Sequence, residues 1–93
     1  MDGLSPIERK QLKARARALD PILHLGGKGL TEAVIAEIGR ALDAHELIKV
    51  RAGGMERDER EAAYTEICSR LSAQPVQHIG KVFVLFRQKP EED

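Results

Sequence analysis

Hydrophobic spacing along the chain predicts three helices that alternate with short strands. The helical period is clearest over residues 31–45, where apolar side chains define one stripe at Val34, Ile35, Ile38, Ala41 and Leu42. Two further helices are predicted over residues 5–18 and 55–72. Four shorter apolar or alternating runs predict strands, at 21–25, 47–52, 76–79 and 82–87. The predicted order is therefore α-β-α-β-α-β-β.

Capping residues mark the predicted helix starts. Ser5 is suited to cap the first helix, with Glu8 completing a capping box. Thr31 is placed to cap the second helix and Asp58 the third. Each of these residues precedes a run with helical spacing, so the capping residues and the hydrophobic spacing predict the same helices.

The connections define the expected fold. Gly80-Lys81 separates the last two strands and predicts a hairpin with a type II′ turn. A right-handed crossover makes the first two strands parallel. We therefore expect an α/β fold in a single compact domain over residues 1–93. It has a four-stranded mixed sheet, a core over about 5–88 and an acidic tail at 90–93.

A glycine-rich loop is the first candidate site. Gly26, Gly27, Lys28 and Gly29 lie between a predicted strand and the second helix. Glycines allow close approach of another molecule to the backbone, and a helix N-terminus favours an anion. This GxxG pattern predicts phosphate contact, although a purely structural turn satisfies it equally.

Basic residues form the second candidate site. Lys10, Lys13 and Arg17 recur at i, i+3 and i+7 and share one face of the first helix. An ordinary solvated surface is the alternative interpretation. Lys49 and Arg51 point outward from the second strand and join the candidate set. Another face of the first helix is predicted to pack inward through Ile7, Ala14 and Ala18.

Charge is balanced overall but divided along the sequence. The 93 residues carry 15 basic and 15 acidic side chains. Residues 5–30 hold six basic side chains against two acidic ones, whereas residues 56–66 hold five acidic against two basic. Such a division allows one side of the molecule to attract phosphate despite a net charge of zero.

Catalytic and metal-binding patterns are absent from the sequence. The three histidines and the single Cys68 lack zinc-ligand spacing, and no nucleophile–base arrangement is evident. We expect no enzyme activity, no metal and no cofactor. No apolar run has the length of a membrane span, and the first residues lack the order of a signal peptide. A cytoplasmic monomer without membrane or small-molecule partners is expected.

Three sequence blocks resemble the CRM domain, the chloroplast RNA splicing and ribosome maturation module, and especially its bacterial YhbY-type form. They are LGGKGLT at 25–31, AHELIKV at 44–50, and VQHIGK at 76–81 followed by LFR at 85–87. The resemblance implies a fold similar to the C-terminal domain of translation initiation factor three. It also implies binding of ribosomal RNA or of precursor large ribosomal subunits.

The same resemblance assigns roles to the candidate residues. The family's GxxG loop falls on Gly26–Gly29, and its basic helix face falls on Lys10, Lys13 and Arg17. Aromatic side chains are scarce, so contacts to phosphates and 2′-hydroxyls are expected. Two alternatives stay open: a protein-interaction adaptor that uses its acidic third helix, and a double-stranded DNA-binding protein.

Overall fold

The computed structural model describes residues 3–89, and its elements follow the predicted order. They are α1 (Pro6–Ala16), β1 (Leu23–His24), α2 (Glu32–His45), β2 (Leu47–Arg51), α3 (Arg57–Leu71), β3 (Gln74–Ile79) and β4 (Val82–Phe86). The acidic tail predicted at 90–93 lies outside the described residues. Within residues 3–89, no helix combines the length and the apolarity needed to cross a membrane.

The strands form one mixed sheet in the order β1-β2-β4-β3. The parallel pairing of β1 with β2 and the antiparallel hairpin of β3 and β4 are as predicted, and β4 also pairs antiparallel with β2. At the hairpin turn Gly80 has a φ of 55°, which suits the first position of a type II′ turn. This pairing brings three connections to one end of the sheet, which we call the loop end: residues 25–31, 52–56 and 80–81.

β1 is shorter than the predicted strand, but its hydrogen bonding extends further. The Ile22 N–H donates to the Lys49 carbonyl at 3.0 Å, and the Leu25 N–H donates to the Arg51 carbonyl at 2.6 Å. These bonds continue the parallel pairing on both sides of β1. The chain therefore enters the 25–31 connection at a position fixed by β2.

Helices α2 and α3 cover one face of the sheet completely, and we call it the covered face. Its largest fully buried side chains come from both helices and the central strands: Ile38, Leu42, Ile48, Val50, Ile67, Phe83 and Leu85. The predicted stripe on α2 is therefore confirmed. Gly39 lies where α2 meets α3, since a Cβ there would lie 3.4 Å from Leu71 Cδ2. This confirms the close packing that a mid-helix glycine indicates.

Tyr64 anchors α3 to the sheet. Its ring stacks on Phe83 with centroids 4.8 Å apart. Its hydroxyl donates to the Val84 carbonyl at 2.5 Å and accepts from the Gln77 N–H at 3.2 Å. A bulge before Gln77 shifts the pairing of β3 and β4 at this point, so the hydroxyl satisfies backbone groups that the bulge leaves without regular partners.

Helix α1 lies on the opposite face, which we call the half-covered face because α1 spans only part of it. Its contact is a small cluster: Leu12, Ala16, Leu47, Val76 and Val84. The prediction that Ile7, Ala14 and Ala18 pack inward is wrong, since Ile7 is 70% exposed and both alanines are exposed. The apolar stripe that faces the sheet instead runs through Leu12 and Ala16 and continues outside the helix.

Two predicted helix ends also need correction. α1 ends at Ala16 rather than Ala18, because the N–H groups of Ala18 and Leu19 donate to carbonyls three residues back, which tightens the chain into 3₁₀-type turns. α3 is capped at Glu56, whose N–H donates to the Glu59 carboxylate at 2.9 Å. Asp58 is therefore not the cap. The capping box around Ser5 and the cap by Thr31 are confirmed.

Candidate functional site

The GxxG segment forms a tight, exposed turn at the loop end of the sheet. The Gly29 N–H donates to the Gly26 carbonyl at 3.1 Å, which leaves Gly27 and Lys28 at the tip. Gly29 has a φ of 73°, a conformation that strongly favours glycine. A Cβ on Gly27 would meet nothing within 4 Å. The backbone at this tip is therefore open to an incoming molecule.

The second glycine pair holds this turn in place. A Cβ on Gly54 would lie 2.9 Å from the Gly27 nitrogen and 3.0 Å from the Gly26 carbonyl carbon. Only glycine permits this approach, since Cβ contacts that short require something to move. Met55 adds a contact, with its Cε 3.7 Å from the Cβ position of Gly29. The 52–56 connection therefore packs directly against the GxxG turn and supports it.

The start of α2 follows the turn directly. The Thr31 hydroxyl accepts from the Val34 N–H at 3.1 Å and satisfies one of the donors at this helix end. Glu32 in the first turn is held by Arg70 of α3 at 2.7 Å. That hydrogen bond, with the charge of Arg70, lowers the pKa of the Glu32 carboxyl. The ion pair fixes Glu32 on the α3 side of the helix start.

The basic candidates separate into two groups. Lys13 and Arg17 line a groove between α1 and the sheet together with Lys49 of β2. Arg51 instead lies beside the start of the GxxG segment, because its carbonyl accepts from the Leu25 N–H at 2.6 Å. Lys10 is exposed on α1 and lines neither feature.

Lys49 and Arg51 link the two groups, since they lie two residues apart on β2 and both face away from α2 and α3. Lys49 also has a structural contact, because its Nζ donates to the Leu19 carbonyl at 3.0 Å. An ammonium group has three donors, so this bond leaves further donors on the same nitrogen. Arg51 is exposed, and its Nε lies 3.8 Å from the Cβ position of Gly53 in the 52–56 connection.

The hairpin turn brings basic residues that the sequence analysis missed. The Ala52 N–H donates to the Lys81 carbonyl at 2.7 Å, which places Lys81 beside the 52–56 connection. Arg57 and Arg60 line a cleft with His78 and Glu61 at the same hairpin, where the Arg57 Nε lies 3.7 Å from the Glu61 carboxylate. The pairing of β2 with β4 brings Lys81 to this end of the sheet, and local sequence patterns do not specify that pairing.

The acidic residues lie on the other side of the molecule. Asp58, Glu61 and Glu66 line a shallow surface on the outer side of α3, remote from the half-covered face. The charge division predicted from sequence is thus a division between the two sides of the sheet. The basic side is formed by α1 and by the residues of β2 that face away from α2 and α3.

The titratable side chains packed in or against the core of residues 3–89 are held by burial and aromatic contacts. Burial raises the pKa of the Cys68 thiol to about 11, and burial also raises the pKa of Tyr64. The His78 ring packs edge-on against Phe83 at 4.9 Å. Among residues 3–89, no cluster of three His, Cys, Asp or Glu side chains is placed to hold a metal ion.

Comparison with known proteins identifies the family. The family model for the CRS1/YhbY (CRM) domain matches residues 4–87, which include every helix and strand. The chain belongs to the CRM family. The resemblance inferred from the three sequence blocks is therefore confirmed.

Two relatives of similar sequence are named as RNA-binding proteins. A protein of Haemophilus influenzae named RNA-binding protein is 43% identical over 91 residues, covering 98% of this chain and 92% of its own length. A probable RNA-binding protein of Pseudomonas aeruginosa is 42% identical over 89 residues, covering 96% and 86% respectively.

A solved structure shares the fold. The solution structure of a hypothetical protein from Staphylococcus aureus, described as a candidate RNA-binding protein, superposes with a TM-score of 0.82. It is 28% identical, and the match covers 97% of this chain and 94% of the other. The compact α/β domain with three helices and a four-stranded mixed sheet is therefore the fold of this family.

Proposed function

We propose that this CRM-family protein is a non-catalytic RNA-binding protein that contacts ribosomal RNA in precursor large ribosomal subunits in the cytoplasm. The observation that carries the proposal is the exposed GxxG turn, which packs against Gly54, carries Lys28 at its tip and follows the residue whose N–H donates to the Arg51 carbonyl. Exposed backbone and adjacent cations at a helix start suit a sugar-phosphate chain. The relatives named as RNA-binding proteins support the same class of ligand.

The proposed surface extends from the turn onto the half-covered face. Gly26, Gly27, Lys28 and Gly29 would contact one stretch of backbone, and Arg51, Lys49, Lys13 and Arg17 would contact the next. Lys10 would contribute at long range, since it lines neither feature. The acidic outer side of α3 would face away from the RNA, which keeps like charges apart.

Sedimentation tests the cellular part of the proposal. Lysates of cells that express the tagged protein are separated on a sucrose gradient, with and without prior ribonuclease treatment. We expect the protein to travel with precursor large subunits and to return to the top of the gradient after ribonuclease. Sedimentation with 50S precursors that resists ribonuclease would indicate a protein adaptor instead.

A direct binding measurement separates RNA from DNA. Hairpins of identical sequence, one of RNA and one of DNA, are titrated at equal ionic strength. We expect tighter binding of the RNA form, because an RNA backbone adds the 2′-hydroxyl and an A-form minor groove. Equal or tighter binding of DNA would favour the DNA-binding alternative.

A further inference from the structure

Helix α1 leaves a groove on the half-covered face of the sheet. The groove has a volume of about 300 Å³ and is lined by Lys13, Ala16, Arg17, Lys49, Gln77, Ile79, Val82 and Val84. Three of these residues are cations and four are apolar, and no carboxylate of the described residues lines it. Its chemistry therefore combines an apolar floor with a positively charged wall.

The floor includes apolar surface that nothing in the described chain covers. Ile79 is 58% exposed although it lines this concave surface, and Val82, its partner across the hairpin, is half-buried. Apolar side chains in a concavity are surface that a ligand would remove from water. The groove is at the small end of the range for single-ligand pockets, about 300–1,000 Å³, so it suits one small group rather than a helix.

We propose that this groove receives a single unpaired nucleobase of the bound RNA, while Lys13 and Arg17 hold the adjoining phosphates. The proposal rests on the proposed function and deepens it. An apolar planar group joined to an anion matches an apolar floor beside cations. The Gln77 amide on the wall offers both a donor and an acceptor to the edge of a base.

The groove and the GxxG turn form one continuous path. Lys49 lines the groove, and the carbonyl of Arg51, two residues further along β2, accepts from the N–H of Leu25, which directly precedes the turn. Two residues of a strand span about 6–7 Å. An RNA strand held at the turn would therefore pass directly into the groove.

A base in this groove does not require an aromatic partner. The aromatic rings Tyr64 and Phe83 are buried on the covered face. The guanidinium of Arg17 is able to stack on one face of a base while its edge N–H groups donate to the adjoining phosphate. The aliphatic floor accepts the other face of the base. The scarcity of aromatic residues thus permits contact with one base, in addition to the phosphates and 2′-hydroxyls expected from the sequence.

Two RNA hairpins test the proposal. They are identical except that one carries a single bulged 2-aminopurine nucleotide, whose fluorescence reports the environment of the base. We expect the wild-type protein to bind the bulged hairpin about three- to tenfold more tightly and to change the fluorescence of the bulged base. Ile79→Ser should remove both effects, while binding of the fully paired hairpin stays within about twofold of wild type.

Ile7→Ser is the matched control. It makes the same substitution at an isoleucine that is 70% exposed on α1 and does not line the groove, so the bulge preference should persist. Equal binding of both hairpins by the wild type, or a preference that survives Ile79→Ser, would overturn the base site while leaving RNA binding in place. Failure to bind either hairpin at low salt would overturn the proposed function itself.

A protein ligand would give a different result. In that case the two hairpins would bind equally, and a short acidic peptide that carries one leucine would displace the bulged hairpin. The peptide would no longer displace it from the Ile79→Ser variant. These results together would assign the groove to a peptide. That result would overturn the nucleobase proposal.

Discussion

The two faces of the sheet differ in how completely helices cover them. On the covered face, α2 and α3 bury a continuous cluster that includes Ile38, Ile67 and Phe83, each with no exposed surface. On the half-covered face, α1 buries five residues and leaves Ile79 and the cations of β2 accessible. One face thus carries most of the stability, and the other has surface available for binding.

The difference arises from residue choice along single strands. β2 alternates Leu47, Lys49 and Arg51 on the half-covered face with Ile48 and Val50 on the covered face. Each cation on the half-covered face reduces the apolar area that α1 could bury. The cations that stand at these positions in place of apolar residues also make this face positive. The weaker packing of α1 and the charged surface that is accessible to a ligand therefore have one physical origin.

A pair of leucine truncations measures this difference in stability. Leu42 on α2 is fully buried in the large cluster, and Leu12 on α1 is 5% exposed in the small one. We expect Leu42→Ala to cost about 3–5 kcal/mol of unfolding free energy and Leu12→Ala about 2–3 kcal/mol, because fewer neighbours surround Leu12. Urea denaturation of the two variants gives both values.

Unchanged denaturant slopes serve as the control, since they show that both variants unfold from comparably compact states. Equal losses for the two leucines would mean that the half-covered face stabilises the fold as strongly as the covered face.

Charge reversal at the GxxG turn should have the largest effect on binding. Changing Gly27 and Lys28 together to aspartate replaces one positive charge by two negative ones at the exposed tip. Folding should persist, because Gly27 has open space for a side chain and its φ is not positive. We expect RNA affinity, measured by fluorescence anisotropy, to fall at least about tenfold, or about 1.4 kcal/mol.

Gly27→Ala is the control for this variant. It adds a Cβ into open space without changing charge, so affinity should remain near that of the wild type. A folded double aspartate variant with undiminished affinity would reduce the turn to a structural role, and RNA binding would then depend on the half-covered face.

Neutralising the groove cations should have a smaller effect. With Lys13→Gln and Arg17→Gln together, we expect RNA affinity to fall about three- to tenfold and the slope of log affinity against log salt to become shallower by about 1–2. The wild-type slope should lie at about −2 to −5. Titrations at several salt concentrations give both quantities.

The acidic side of α3 supplies the matched control. Asp58→Asn with Glu66→Gln removes two charges from the outer face without touching the Glu56–Glu59 capping bond. Affinity should stay constant or rise slightly. Equal losses in the basic and acidic double variants would show that the binding face has been assigned to the wrong side of the sheet.

Where local signals agreed, the sequence predicted the fold well. In α2, the Thr31 cap and the apolar stripe coincide, and both ends were predicted within a residue. In α1, the N-terminal capping box was correct but the C-terminal end and the buried face were not. The helix has few apolar residues, and the sheet it meets is distant in sequence. The face that packs is decided by Leu12 against β2 and β4, which no local pattern specifies.

The candidate site was predictable only as separate pieces. The glycines of the turn and the basic residues of α1 were visible as motifs. The contact of Gly54 with Gly27 and the bond from the Leu25 N–H to the Arg51 carbonyl depend on strand pairing between distant segments. The groove beside Ile79 arises from the part of the sheet that α1 fails to cover, so it follows from tertiary packing alone.

Amide chemical shifts during an RNA titration test the central claim most directly. The ¹⁵N-labelled protein is titrated with a hairpin RNA, and the shift of each backbone amide is recorded. We predict the largest shifts at Gly26–Gly29, Arg51 and the Lys13–Arg17 segment, with little change along the outer side of α3. Shifts concentrated at residues 58–70, with the GxxG turn unchanged, would contradict the assignment of RNA binding to the half-covered face.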